Sequence, residues 1–298
     1  MIDMKWMGDR VPNHGPRSYK GRAYIPIVIV NHISIGTMTS MDAWFRNPKA
    51  QASSHFGNSR AGKIHQYVNL KRAAWTQGLV PEAIPRAKAS VVQNMGVNPN
   101  LYCISIENEG YAGNGADGTL TEEQFWSLCW LHKYIQQEVE REWGHHIRFG
   151  PDTVLGHYQI DPVRKPFCPG QNFPWVRLYA ELAIAESIPT LELYEERVAY
   201  QLSQTSQYAA AFAIAGRVRD LAERLSDKKW GAAAETKLLY LEPIMPQLAY
   251  GDGQVTAAGI ASRVLQLSQT AMGSGKWQEE AVRKLLLLEP IMKEQGLL

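Results

Sequence analysis

Cysteine is scarce in this chain of 298 residues. Cys103, Cys129 and Cys168 make an odd and sparse set, which argues against a disulfide framework. An excess of either charge is missing too. The 31 Lys and Arg nearly balance the 29 Asp and Glu, leaving a net charge of +2. That balance argues against a strongly electrostatic binder, so no nucleic-acid partner is expected. No window reaches the roughly 18 apolar residues of a membrane span. The opening "MIDMKWMGDRVPNHGPRS" has no apolar core of the signal-peptide kind. Together these absences lead us to expect a chain made in the cytoplasm, with thiols kept reduced or used as ligands.

What is present is enough apolar material, 45%, to bury a sizeable core, in a length that suits two domains. The first half mixes two periodicities. "YIPIVIVNHIS" (24–34) is a continuous β-branched run that reads as a buried strand, with Asn31 and His32 at its end. Residues 40–48 read as a short helix stopped before Pro48. Residues 62–68 and 101–110 read as further strands, the second ending in acids. Thr121 and Gln124 have capping-box spacing at the start of a long helix. Phe125, Leu128, Cys129, His132, Ile135 and Val139 fall on one face of it, and Gly144 stops it. A last strand precedes "GHYQIDPVRKPFCPG" (156–170). Interleaved strands and helices predict an α/β fold, a mixed central β-sheet flanked by helices.

From residue 181 the strand signals vanish, and Ala, Leu, Gln and Glu dominate. "KWGAAAETKLLYLEPIM" (229–245) matches "KWQEEAVRKLLLLEPIM" (276–292), and "IAGRV" (214–218) answers "IASRV" (260–264). These are two copies of a helical hairpin of about 45 residues. Each buries little alone, so the copies are expected to pack together, the proline of each "LEPIM" ending a buried helix. The expected organisation is an α/β domain over 1–180, a linker over 181–193, and a smaller all-α domain with two tandem helical repeats over 194–298.

"GHYQIDPVRKPFCPG" holds His157 and Cys168, and its prolines and glycines let the segment turn back. Imidazole nitrogen and thiolate sulfur are zinc donors. A catalytic zinc takes three protein ligands, and His32, closing a buried strand, is the natural third. The plainer reading is that lone histidines are surface or core residues and a lone cysteine is a small buried apolar one. Spacing alone leaves both open.

Five segments together go further. "IVIVNH" (27–32), "SSHFGNSRAGKIHQYV" (53–68), "AAWTQG" (73–78), "CISIENEG" (103–110) and "GHYQIDPVRKPFCPG" resemble, in order, "IVIHHT", "SAHYVIDRDGTIYQLV", "AWHAG", "IGIELEG" and "GH…P..K..CPG". Those are motifs of the zinc-dependent N-acetylmuramoyl-L-alanine amidases, the group of T7 lysozyme, the peptidoglycan recognition proteins and many phage endolysins. The resemblance is collinear over roughly residues 20–175. It departs at Thr76, where the family has a histidine, at His65, where tyrosine is frequent, and at Lys165, which stands three rather than two residues before the cysteine.

The resemblance implies that His32, His157 and Cys168 hold Zn2+. Two neutral imidazoles and one thiolate leave the site a net charge near +1. A thiolate donates charge and weakens the ion as an acid, so a nearby base is useful. Glu107 is the candidate, at the end of a strand where a carboxylate is partly desolvated; Glu109, two positions on, is the runner-up. Lys165 is the cationic candidate for the oxyanion, with His65 as a second. The plain alternatives are a solvated loop lysine, an outward histidine and a turn-capping acid. His145 and His146 read as surface, His55 as structural, Cys103 and Cys129 as core, and Trp75 as groove or core.

The implied activity is hydrolysis of the amide between the lactyl group of N-acetylmuramic acid and L-alanine. The partner is bacterial peptidoglycan, reached by an endolysin-like enzyme after release from the cytoplasm. The rival is a non-catalytic peptidoglycan receptor of the same fold. The helical repeats are expected to hold the enzyme to the wall, with dimerisation through them as the alternative.

Overall fold

The run Val28–Ile33 is buried at all of its positions, as a strand covered on both faces must be. It lies inside a six-stranded sheet in the computed structural model, which describes residues 2, 4–111, 118–248, 255–272 and 277–298. In chain order the strands are Met4–Trp6 (β1), Val28–Ile33 (β2), Phe56–Asn58 (β3), Ile64–Gln66 (β4), Cys103–Asn108 (β5) and Val154–Gly156 (β6). Their order across the sheet is β1-β4-β3-β5-β2-β6. Only β3 and β4 run antiparallel; the other pairs are parallel, so the sheet is mixed. Two small antiparallel pairs lie outside it, His14–Pro16 with Arg72–Ala74 and Ser18–Tyr19 with Arg22–Ala23.

The register sets up the site. His32 pairs with Glu107, Glu107 with Gly57, and Gly57 with His65. Residues in register share a face, so these side-chain positions form one row across four strands. Gly57 is the gap in the row. A Cβ there would lie 2.9 Å from the Tyr67 ring and 3.1 Å from Met38 Sδ, so the ring occupies that space instead.

Helix Glu122–Trp143 starts and stops as expected. Thr121 Oγ1 accepts from the Gln124 N–H at 3.1 Å, and Gly144 ends the helix at φ +64°. Its buried surface exceeds one stripe, because Trp126, Ser127, Trp130 and Leu131 are buried beside the expected face. Asn58, Ser127 and Gln124 tie it to the sheet. Ser127 Oγ donates to Asn58 Oδ1 at 2.6 Å, and Gln124 Nε2 donates to Asn58 O at 3.1 Å.

The chain divides into two compact units, Met1–Gln201 and Leu202–Leu298. The division falls inside one helix, Leu191–Arg224. The stretch 181–193, read from sequence as a linker, is helical to Ser187, because Leu178, Glu181, Leu182 and Ala185 are buried along Trp175–Ser187. Glu181 is a buried carboxylate held by Arg197 in two contacts of 2.7 Å.

The second unit has its own core, and the two copies contribute matching residues. Ile214, Ala215, Val218 and Leu221 answer Ile260, Ala261, Val264 and Leu267; Leu238, Leu241 and Met245 answer Leu285, Leu288 and Met292. All are buried in one cluster, so the copies do pack on each other. Helices Gly231–Leu239 and Gln278–Leu286 end just before the prolines of "LEPIM", as expected. Pro243 and Pro290 stand in the first turn of the following elements, Glu242–Leu248 and Glu289–Glu294, where a missing N–H costs nothing. Lys276, part of the repeat, lies outside the described residues.

Candidate metal centre

His32 sits at the end of β2, beside β6, where Asn31 pairs with Gly156. His157 is the next residue after Gly156 and opens the short helix His157–Ile160. Pairing of the two strands therefore delivers the two histidines side by side. Asn108 donates from its side-chain amide to the His32 carbonyl at 3.1 Å and accepts from Asn58 Nδ2 at 2.9 Å. These amides are buried and paired, which fixes the strand ends under the site.

Cys168 arrives by a loop that folds back. The Lys165 N–H donates to Asp161 O at 3.0 Å, Cys168 N–H to Lys165 O at 3.2 Å, and Tyr158 N–H to Cys168 O at 2.9 Å. One ligand atom from each of His32, His157 and Cys168 lies within 4.8 Å of the others.

The donor chemistry fits a cation. The Nδ1 atoms of His32 and His157 are 3.0 Å apart. His157 Nε2 donates to the backbone oxygen of Gln77 at 3.1 Å, which leaves the lone pair on Nδ1. Burial holds His32 well below its ordinary pKa, and the charges of His157 and Lys165 act the same way. Burial lowers His157 to about 4, against the raising effect of the Gln77 bond. Both rings are therefore neutral near pH 7, as ligands must be. Two nitrogens on a tetrahedral zinc, each at about 2.05 Å, lie about 3.3 Å apart, close to the spacing seen. Burial pushes the Cys168 thiol up to about 12, with Glu107 adding to it and the Ile33 N–H, 3.4 Å from Sγ, opposing. A cation at this point displaces the thiol proton.

Glu107 stands beside His32 in the cross-strand row, with Oε1 3.9 Å from His32 Nδ1. Its Oε2 is buried without a hydrogen-bond partner among the described residues. Burial pushes the carboxyl up to about 7, and the charge of Lys165 opposes that rise. All five groups line one cavity of about 420 Å3. Trp44 and Trp75, 54% and 40% exposed, stand on its walls.

The structure does not bring His65 and Glu109 to this cavity. His65 is two strands away from Glu107, with Nδ1 2.9 Å from Asp42 Oδ1, and the Tyr67 hydroxyl donates to the same oxygen at 2.7 Å. Glu109 lies beyond the end of β5 and accepts from the Arg60 N–H at 2.9 Å, so the strand periodicity that put it beside Glu107 stops short of it. His55 is structural: Nδ1 accepts from the Ser105 N–H at 3.1 Å, and Nε2 faces Arg72 O at 3.0 Å. Cys103 and Cys129 are buried in the core. Trp44 and Gln77 were missed by sequence reading. Trp44 looks like one more apolar residue of its helix, and nothing local marks a main-chain carbonyl as a partner for a distant histidine.

The N-acetylmuramoyl-L-alanine amidase family matches residues 22–171 of the sequence, half of the chain and all three metal-ligand candidates. The chain belongs to that family. Amidases of this family are generally zinc-dependent, and this member presents a His, His, Cys group able to hold a metal. It is 32% identical over 127 residues to the 1,6-anhydro-N-acetylmuramyl-L-alanine amidase AmpD of Haemophilus influenzae, covering 43% of this chain. The chain spans little more than half of that relative, 56% of its length. It is 26% identical over 164 residues to N-acetylmuramoyl-L-alanine amidase A of Achromobacter lyticus, covering 51% of this chain and 80% of that protein. Among solved structures, a selenomethionine derivative of AmpD is similar, with a TM-score of 0.43 and 21% identity over 61% of this chain and 95% of that one.

Proposed function

We propose that the first unit is a zinc amidase that hydrolyses the bond between the lactyl group of N-acetylmuramic acid and L-alanine in peptidoglycan. The observation that carries this reading is the meeting of His32, His157 and Cys168 beside a buried, partnerless Glu107 oxygen in one open cavity. His32 and His157 would hold zinc through Nδ1 and Cys168 through Sγ. The ion, when bound, supplies Lewis acidity toward water and the scissile carbonyl.

The chain's own groups do the rest. Glu107, beside His32 in the same cavity, accepts a proton from the attacking water and returns it to the departing amine. Lys165 faces the same cavity and offers its ammonium to the negative charge that develops on the carbonyl oxygen. Trp44 and Trp75 line the same cavity and offer apolar aromatic surface to the substrate. His65 is left out of the chemistry, since Asp42 holds it outside the cavity.

A receptor without catalysis needs neither a thiolate ligand nor a general base, and the presence of Cys168 and Glu107 favours the enzyme. Purified sacculi incubated with the protein and zinc should release new L-alanine amino termini. Binding to sacculi without such release would establish the receptor instead.

The second unit is proposed as an endolysin-type wall anchor, which raises local substrate concentration by tethering. Its support is architectural: a separate core built from two copies, Leu202–Leu298, following the family segment. Residues 202–298 should pellet with sacculi. A fragment that stays in solution and self-associates would favour dimerisation. Synthesis in the cytoplasm followed by release to the wall is part of the same proposal; Cys103, Cys129 and Cys168 are free thiols. No helix among the described residues is long and apolar enough to cross a membrane.

A further inference from the structure

Gln77 is 1% exposed and lies against both candidate metal-binding histidines. Its main-chain oxygen accepts from His157 Nε2 at 3.1 Å. Its side-chain amide lies 3.4 Å from His32 Nε2 and 3.0 Å from Ser105 Oγ.

The side-chain contact carries an inconsistency with a simple resolution. His32 turns Nδ1 toward His157, so a neutral ring that gives this lone pair to a metal carries its proton on Nε2. That N–H needs an acceptor. The Gln77 atom nearest to it is placed as the amide nitrogen, itself a donor, while Gln77 Oε1 is buried with no partner among the described residues. A half-turn about the last side-chain bond exchanges the two atoms with almost no change in shape. Oε1 then accepts from His32 Nε2–H and from the Ser105 hydroxyl. The amide nitrogen takes the position where the oxygen had no partner, so no existing bond is lost there.

We infer that Gln77 is the positioning residue of the metal centre, fixing His157 through its carbonyl oxygen and His32 through its side-chain oxygen. One residue thereby sets the tautomer of both rings and aims both Nδ1 lone pairs at one point. Ser105, in register with Val30 on the neighbouring strand, has a hydroxyl that can donate to Oε1 in that arrangement. Gln77 touches neither substrate nor reacting atoms in this role. The inference rests on the metal reading of His32, His157 and Cys168.

The test compares native protein, Gln77→Leu and Gln77→Glu. Zinc affinity is read by competition with a chromophoric chelator, and histidine tautomers by long-range 15N–1H NMR of the zinc form. Leucine removes the acceptor while every main-chain contact remains, and zinc affinity should fall about 10- to 100-fold. Glutamate keeps an acceptor and removes the amide donor, and should bind zinc at least as tightly as the native chain. In native protein, His32 should carry its proton on Nε2. That measurement does not depend on either variant folding. Leucine binding zinc within twofold of native, glutamate failing while leucine binds, or native His32 protonated on Nδ1 would each overturn the inference. Native protein that takes up no zinc would overturn the metal reading itself, and the role of Gln77 with it.

Discussion

Replacing Glu107 by glutamine should cost activity and add stability, and the two effects should part with pH. The carboxyl has an ordinary value of 4.5 and is pushed up to about 7 in the folded, metal-free chain, chiefly by burial. A raised folded value means that the folded state holds the proton longer than the unfolded state does. Stability from this group is therefore complete below about 4.5 and is lost as pH rises through about 7. At about 1.4 kcal/mol per pH unit, the gap amounts to roughly 3 kcal/mol once both states are ionised. Glutamine carries no charge at any pH and escapes that penalty. Its gain over native should be about 2 kcal/mol larger near pH 8 than near pH 5. Comparing the two pH values cancels any fixed cost of seating the amide. Urea unfolding of metal-free native and Glu107→Gln protein measures it. Amide hydrolysis by the zinc-loaded variant should fall by about 10²–10⁴-fold. Zinc should shrink the stability difference, because a nearby cation favours the carboxylate. A variant whose relative stability is the same at both pH values would refute the claim that Glu107 is a desolvated, shifted carboxyl.

Cys168→Ser should lose zinc and hydrolysis together, checked by metal analysis and by amino-terminus release from sacculi. Trp44→Ala should raise KM with kcat nearly kept, since an exposed wall residue binds ground and transition states alike. His146 is held above its ordinary pKa by Glu186 first and Glu140 second, so its contribution is full below about 6.5 and lost as pH rises through the raised value. His146→Ala should thus lower Tm near pH 5.5 and leave it unchanged near pH 9. Leu238→Ala and Leu285→Ala remove equivalent fully buried side chains of the two copies; each should cost about 2–5 kcal/mol in denaturant unfolding.

Much of this arrangement is legible before any coordinates. A buried strand ending at His32 follows from six β-branched or apolar positions in a row. The long helix follows from its cap residues, and Gly144 supplies the left-handed stop. The metal group was visible only through collinear motifs, because His32 and His157 are joined by parallel pairing of distant strands, which leaves no local pattern. Strands β1 and β3, "MKW" and "FGN", were illegible for a simpler reason, since neither contains a β-branched residue. The expected linker failed because its sequence is helix-forming on both sides, and only 188–190 leave the helical state. His65 entered as a candidate through the family resemblance, at the position where tyrosine is frequent. Register puts it on one face with Glu107, but the Tyr67 ring above Gly57 and the carboxylate of Asp42 keep His65 apart.

The edge strand Val154–Gly156 is only three residues long and is followed at once by His157. An ion shared by His32, His157 and Cys168 would clamp that short edge and its trailing loop to the sheet interior. Such a clamp ties the unit's resistance to unfolding to free metal concentration, by about 4 kcal/mol when zinc stands a thousandfold above its dissociation constant. A chelator would then act on this protein twice, silencing its chemistry and fraying the margin of its sheet.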